Sequence, residues 1–182
     1  CKALIILMDI FVFEFFHSLA GKSVFLDFIA VSFAKYLPYL LVFAFLLFAI
    51  LSGGKWRNKI SIFITTALSV ILARGLITEI IRFFYKRERP FEALRFEPLI
   101  SESAKSSFPS GHAAFFFALA FSIFCFNRRL GYWCLGLAVL NSLARIFVGV
   151  HWPSDILGGF LAAVISILIV KKFLKQCPAK SV

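Results

Sequence analysis

Long apolar runs alternate along this chain with short polar segments, at a spacing that reads as a succession of hydrophobic helices. The runs occupy residues 3–19, 37–53, 60–84, 112–126, 130–148 and 153–170. Each is close to the roughly 20 residues that cross the hydrocarbon core of a bilayer, so the pattern predicts six spans. Asp9, Glu14 and His17 interrupt the first run, and the fourth is short unless Ser110 and Gly111 belong to it. Between the first two runs, Ser23 to Tyr36 carries Asp27 and Lys35 and ends before Pro38, which suits a helix lying in the membrane interface. The expected fold is therefore all-α: a polytopic membrane helical bundle of about six transmembrane helices plus one interfacial helix near the N-terminus, with residues 1–182 forming one integral-membrane domain.

Composition strengthens the membrane reading. The chain is 61% hydrophobic with a mean hydropathy of +0.92, and 25 of its 182 residues are Phe. A soluble core of this size could not bury that much apolar surface, so lipid must solvate most of it. No internal repeat or low-complexity tract is evident.

The net charge of +11 adds orientation. Lys55, Arg57 and Lys59 form one basic cluster, Arg128 and Arg129 a second, and Lys171, Lys172 and Lys175 a third. With six spans all three fall on one side, which the positive-inside rule makes cytoplasmic. Both termini are then expected in the cytoplasm. The loop from about Lys86 to Pro109 and the turn around His151 share the extracytoplasmic face. That outer loop is itself basic, with Lys86, Arg87, Arg89, Arg95 and Lys105, which reads as a signal for an anionic ligand. Nucleic acid is not an expected partner, and the oligomeric state is left open. None of the cysteines at 1, 125, 134 and 177 falls in an outer loop, so all four are expected as free thiols.

Candidate chemistry concentrates in three segments. Glu79, Arg82, Lys86 and Arg89 are spaced by three, four and three residues, which places them on one face of a helix reaching the outer surface. Lys86 and Arg87 read as a snorkelling basic collar. Arg82 lies a turn deeper, where a lipid-facing guanidinium is costly and Glu79 is its local partner. Arg82 and Arg89 are candidate phosphate ligands through the bidentate match of guanidinium to phosphate oxygens. In SFPSGH, Ser107 to His112, Ser110 is a natural N-cap and Gly111 and His112 open the next helix. First-turn amides there form an anion site, and Gly111 permits close approach to the backbone. In ARIFVGVHWPSD, Ala144 to Asp155, Arg145 ends one helix and Pro153 begins the next. Asp155 follows His151 by four residues, within reach of one ring nitrogen, leaving the other free to act as a nucleophile. Simple capping, a dipole-favoured acid or an interfacial histidine would each account for one segment alone. The coincidence of all three on one predicted face is what favours a site.

Arg82, six residues, Arg89-Pro90; then Pro109-Ser110-Gly111-His112; then Arg145, five residues, His151, three residues, Asp155: this order and spacing resembles the three-part signature of the phosphatidic acid phosphatase type 2 superfamily. Arg82 stands where the family usually has Lys, which keeps the charge, and Ala144 where the third part often begins with Ser, which removes one hydroxyl contact. The resemblance implies a metal-independent phosphatase with no cofactor. In it His151 attacks phosphorus to form a phosphohistidine, Asp155 orients it, and His112 protonates the leaving group. Arg82, Arg89, Ser110, Gly111 and Arg145 would hold the phosphoryl oxygens. Only three histidines and no carboxylate cluster with metal-ligand spacing accompany these segments.

A site at the membrane boundary implies a lipid phosphate or diphosphate substrate whose tail stays in the bilayer. In its shortness, its RPFEALRF segment and its compact loop before SFPSGH, the chain resembles the small bacterial undecaprenyl diphosphatases, which regenerate the carrier lipid of cell-wall synthesis. Phosphatidylglycerophosphate, phosphatidate and lipid A phosphatases of the same superfamily remain alternatives, because none of the motif residues reads the tail. A non-catalytic lipid or anion transporter or scaffold is a remoter one.

Overall fold

A computed structural model describes residues 2–51, 56–102 and 106–174. Every regular element among them is helical: α1 (Lys2–His17), α2 (Val24–Lys35), α3 (Leu37–Leu51), α4 (Trp56–Val70), a π-helical segment (Ile71–Ile77), α5 (Thr78–Phe84), α6 (Pro90–Ala93), α7 (Gly111–Phe126), α8 (Arg128–Phe147) and α9 (Pro153–Leu174). The six apolar runs correspond to α1, α3, the continuous stretch from α4 to α5, α7, α8 and α9. Three helices, Trp56–Phe84, Arg128–Phe147 and Pro153–Leu174, are long and apolar enough to cross a membrane by themselves. Helices α2 and α3 reach that standard only as a pair bent by 47°. Pro38 in the first turn of α3, where a missing N–H breaks no helical bond, allows the second helix to restart after the bend. The segment read as interfacial is α2, which buries Ala30 and Ala34 in a cluster with Ala144, Val148 and Val150 and leaves Val24, Phe25 and Phe28 exposed.

Helix α7 is the axis. It is buried on all sides, as an apolar helix without a polar face should be. Small side chains at Ala113, Ala114, Ala118 and Ala120 let α8 and α9 approach its backbone. Gly159 of α9 takes this furthest: a Cβ there would lie 2.5 Å from the Ser110 carbonyl oxygen and 2.7 Å from the Ala113 Cβ. Several buried hydroxyls inside the bundle are satisfied within their own helices, Ser122 donating to Ala118 O at 2.7 Å and Ser142 to Ala138 O at 2.8 Å. The π-helical turn is closed by Thr78 Oγ1, which donates to Ala73 O at 2.8 Å.

Only Asn127 separates α7 from α8, and the turn 148–152 separates α8 from α9, so the helices run back and forth. Arg57, Lys59, Arg128, Arg129, Lys171 and Lys172 therefore gather at the end opposite the motif segments, while Lys55 and Lys175 lie outside the described residues. One sequence expectation is corrected: Cys125 is disulfide-bonded and not a free thiol. Cys134 is free and buried, and Cys1 and Cys177 lie outside the described residues.

Candidate active site

Four helix ends converge to bring the three segments together. The N-termini of α7 and α9 meet where Ser110 N donates to Asp155 O at 2.9 Å. The C-terminus of α8 delivers Arg145, and the connection from α5 to α6 supplies Arg87 and Arg89. Arg82, near the end of α5, donates through Nη2 and Nε to Pro109 O at 3.0 and 3.3 Å, with Nη1 3.5 Å from Glu79 Oε1 as the sequence suggested.

His151 sits in the turn between α8 and α9. Gly149 makes that turn possible for two reasons: its φ is +88°, and a Cβ there would come within 2.6 Å of the Phe96 ring. His151 Nδ1 lies 3.4 Å from both Asp155 Oδ2 and Ser107 Oγ, and Nε2 lies 3.5 Å from Arg89 Nη1. Asp155 Oδ2 also accepts from Trp152 N at 2.8 Å and from Ser107 Oγ. The carboxylate is thus turned toward Nδ1, leaving Nε2 on the arginine side. Burial, reinforced by the charges of Arg145 and Arg89, holds the His151 imidazole well below the ordinary histidine range, so it is neutral at physiological pH. A neutral imidazole with one nitrogen on a carboxylate has its other lone pair free for attack.

Beside Nε2 the arginines form a cradle for an anion. Arg89 and Arg145 are both 2% exposed, and the carboxylate of Glu102 lies between them. Arg145 Nη2 donates to Glu102 Oε2, and Arg89 Nη2 is 4.0 Å from Oε1. Burial favours the protonated acid at Glu102, but Arg145 and Arg89 outweigh it and hold the carboxyl below its usual range. Arg145 Nε, also buried, has no hydrogen-bond partner among the described residues. A buried guanidinium donor left unsatisfied marks a place where an acceptor belongs.

Ser110 is the N-cap of α7, its hydroxyl accepting from Ala113 N at 3.3 Å. His112 lies in the first turn of α7 and lines a cavity of about 370 Å³ together with Glu102, Arg145, Lys35 and Tyr39. The space over Gly111 is taken by Arg74 of the π-helical segment, whose Nε would be 2.5 Å from a Cβ at that position. Arg74 in turn binds Glu79 Oε1 at 2.5 Å. Sequence reading placed Lys86 and Arg89 on the helical face of Arg82, and this is corrected. Helix α5 stops at Phe84 with Tyr85 extended, because Arg87 N donates to Ser106 Oγ at 3.1 Å and Ser107 N to Arg87 O at 2.8 Å. Arg89 instead caps α6, with Pro90 at its first position and Glu92 returning a bond to Arg89 N at 3.0 Å.

Residues 63–178 match the family described as the PAP2 superfamily. The chain belongs to the PAP2 superfamily. It is 28% identical over 164 residues to the bacitracin transport permease protein BcrC of Bacillus licheniformis, covering 90% of this chain and 79% of that one. It is 29% identical over 158 residues to undecaprenyl-diphosphatase BcrC of Bacillus subtilis, covering 87% and 80%. In fold it resembles LpxE of Aquifex aeolicus, with a TM-score of 0.74 at 23% identity over 90% of this chain and 94% of that one. It also resembles a transmembrane PAP2 phosphatidylglycerolphosphate phosphatase of Bacillus subtilis, with a TM-score of 0.60 at 18% identity over 98% of both chains. This PAP2 protein is accordingly a membrane lipid phosphatase.

The PAP2 site contains residues that sequence reading missed. Arg87 was read as snorkelling, and the structure corrects this: its guanidinium turns inward to Asp155 Oδ1 at 2.8 Å and to Asp9 Oδ2 at 2.7 Å. Asp9 was read as a mere interruption of the first apolar run. Its charge in that run was the available signal, since ionisable groups at membrane depth mark function by default. Ser107 opened the SFPSGH segment without being singled out, and Glu102 carried no signal beyond its position in an irregular loop. The third histidine, His17, is structural, stacking on Phe13 and pairing through Nδ1 with Phe147 O at 2.8 Å.

Proposed function

We propose that this PAP2 protein hydrolyses undecaprenyl diphosphate to undecaprenyl phosphate at the extracytoplasmic face of the bacterial plasma membrane, through a phosphohistidine at His151 and without a metal ion. The observation that carries the reading is the buried cradle of Arg89 and Arg145, with an unsatisfied Arg145 Nε, directly beside the unprotonated His151. The named activity of the Bacillus subtilis relative, matched over most of both chains, supports the choice of lipid.

In this reading the terminal phosphoryl group displaces Glu102. Its oxygens are held by Arg89, Arg145, Arg82, the Ser110 hydroxyl and the first-turn amides of α7 at Gly111 and His112, the Ser110 amide being engaged by Asp155 O. Positioning and charge stabilisation are most of what phosphoryl transfer requires. His151 Nε2 attacks phosphorus as the bond to the bridging oxygen breaks, and His112 protonates the departing undecaprenyl phosphate. Asp155 accepts the Nδ1 hydrogen bond and balances the positive charge that develops on the ring. His112 then takes a proton from water, which attacks phosphorus, releases inorganic phosphate and regenerates His151.

The test is phosphate release by purified protein from undecaprenyl diphosphate, phosphatidylglycerophosphate and phosphatidate, each with a chelator present. The isoprenoid diphosphate should be the best substrate. A folded His151→Ala variant should be inactive and fail to retain labelled phosphate after acid-free denaturation. Preference for a glycerolipid would replace the substrate, and substantial activity in His151→Ala would overturn the mechanism. Orientation is checked by cysteine labelling in intact cells: Glu97→Cys should react with an impermeant maleimide and Asn58→Cys should not.

A further inference from the structure

We infer that Asp9 and Arg87 form a charge relay of position behind the His151–Asp155 pair, holding the Asp155 carboxylate in the orientation and charge state that the nucleophile needs. The inference rests on the phosphatase reading of this same site and adds two positioning residues to it.

Arg87 reaches Asp155 from the side away from the histidine. Its Nη1 donates to Asp155 Oδ1 at 2.8 Å and to Ser154 Oγ at 2.6 Å, and its Nη2 donates to Asp9 Oδ2 at 2.7 Å. Ser107 and Trp152 N hold the other Asp155 oxygen, Oδ2, on the histidine side. Both oxygens are therefore fixed, and the carboxylate cannot rotate away from Nδ1. The guanidinium is itself wedged, its central carbon 5.5 Å from the Trp152 ring centre.

Asp9 completes the arrangement electrostatically. An arginine bound to Asp155 alone would draw off the negative charge that should favour the ring N–H and the phosphorylated imidazole. Asp9, 4% exposed, supplies a second carboxylate to the same guanidinium, so the trio retains one net negative charge next to His151. Asp9 also accepts from Ser154 N at 2.9 Å, which anchors it to the first turn of α9, one residue from Asp155. A carboxylate in an apolar helix is costly, and its contacts here are all with groups that hold Asp155 or its neighbour.

The experiment compares wild type, Arg87→Ala, Arg87→Lys, Asp9→Asn and the Asp9→Asn/Arg87→Ala double variant, each checked for folding by Tm and gel filtration in detergent. Arg87→Ala should lower kcat about 100-fold, the effect of slight misplacement of a catalytic group, with KM for undecaprenyl diphosphate nearly unchanged. Arg87→Lys should recover part of that loss. Asp9→Asn should lower kcat less, and should add nothing in the Arg87→Ala background because it acts through Arg87. A loss that appears in KM, that Lys does not rescue, or that is additive in the double variant would overturn the inference, as would unchanged kcat. Failure of wild type to release phosphate from any lipid, by contrast, would remove the phosphatase reading itself and this inference with it.

Discussion

Arg145 holds Glu102 across the arginine cradle, Nη2 donating to Oε2, while Arg89 Nη2 stands 4.0 Å from the other carboxylate oxygen. A carboxylate between two guanidiniums has the charge and much of the shape of a phosphoryl group's oxygens. The cradle is thus closed by an anion of the protein itself, carried on the connection between α6 and α7, and under the proposed function a substrate phosphate exchanges with it.

It follows that Glu102→Gln should strengthen binding of small anions. Inhibition by inorganic phosphate or vanadate should become tighter by about tenfold, equivalent to ~1.4 kcal/mol. Removing the carboxylate also leaves Arg145 a buried cation without its partner, so Tm should fall unless phosphate is added. Equal or weaker inhibition in a folded Glu102→Gln protein would show that Glu102 does not compete for the cradle.

Acidification should destabilise the protein in two stages. His151 is held well below 6.5 in the fold, so in the window beneath 6.5 the unfolded chain takes up a proton that the folded chain refuses. Stability therefore falls as pH drops below that value. Glu102 is held below 4.5, and its contribution is present above that value and lost as pH falls through the lower folded one. Between about pH 7 and about pH 5.5 the fall in Tm should be smaller in His151→Gln than in wild type, and unchanged in Glu102→Gln. Identical slopes in wild type and His151→Gln would contradict the placement of a neutral imidazole there.

Arg145 should matter through both charge and geometry. Arg145→Ala is expected to lower kcat/KM by roughly 100- to 1,000-fold, about 3 to 4 kcal/mol of transition-state stabilisation, as for loss of other preorganised donors. Arg145→Lys should recover only part, since an ammonium cannot reproduce the guanidinium's fixed set of donors, including Nε. A loss below tenfold in Arg145→Ala would count against direct contact with the phosphoryl group.

The helices and the three site segments were legible because their signals are local. Apolar runs mark α3, α4, α7, α8 and α9, while Pro90, Pro109 and Pro153 punctuate them. His151 and Asp155 are four residues apart, so their pairing could be read directly. What stayed hidden depends on long-range contact. Arg87 meets Asp9 across 78 residues of sequence, and no periodicity couples them. At the end of an apolar helix, Lys86-Arg87 has the sequence of a snorkelling collar, and only the extended pairing with Ser106 and Ser107 turns Arg87 inward. The π-helical turn was equally invisible, although it is what swings Arg74 across Gly111. Glu102 gave no sign of its role because an acid in an irregular loop is ordinarily solvated.

The contact between α7 and α9 sets the relation of His112 to His151 and Asp155, and it can be tested without touching any of them. A methyl at Gly159 would stand 2.5 Å from Ser110 O and 2.9 Å from Ala114 N, both backbone atoms that cannot rotate aside. Gly159→Ala must therefore part the two helices, at a cost of roughly 1 to 3 kcal/mol for overpacking. For a chain of this size that corresponds to a Tm lower by roughly 3 to 10 °C. Because Ser110 N also binds Asp155 O, the same shift should reduce kcat in the protein that remains folded. Gly136 in α8 provides the control: a Cβ there meets nothing within 4 Å, so Gly136→Ala should keep activity and hold or raise Tm through helix propensity. If Gly159→Ala behaved like Gly136→Ala, the backbone contact between α7 and α9 would not be what positions the two histidines.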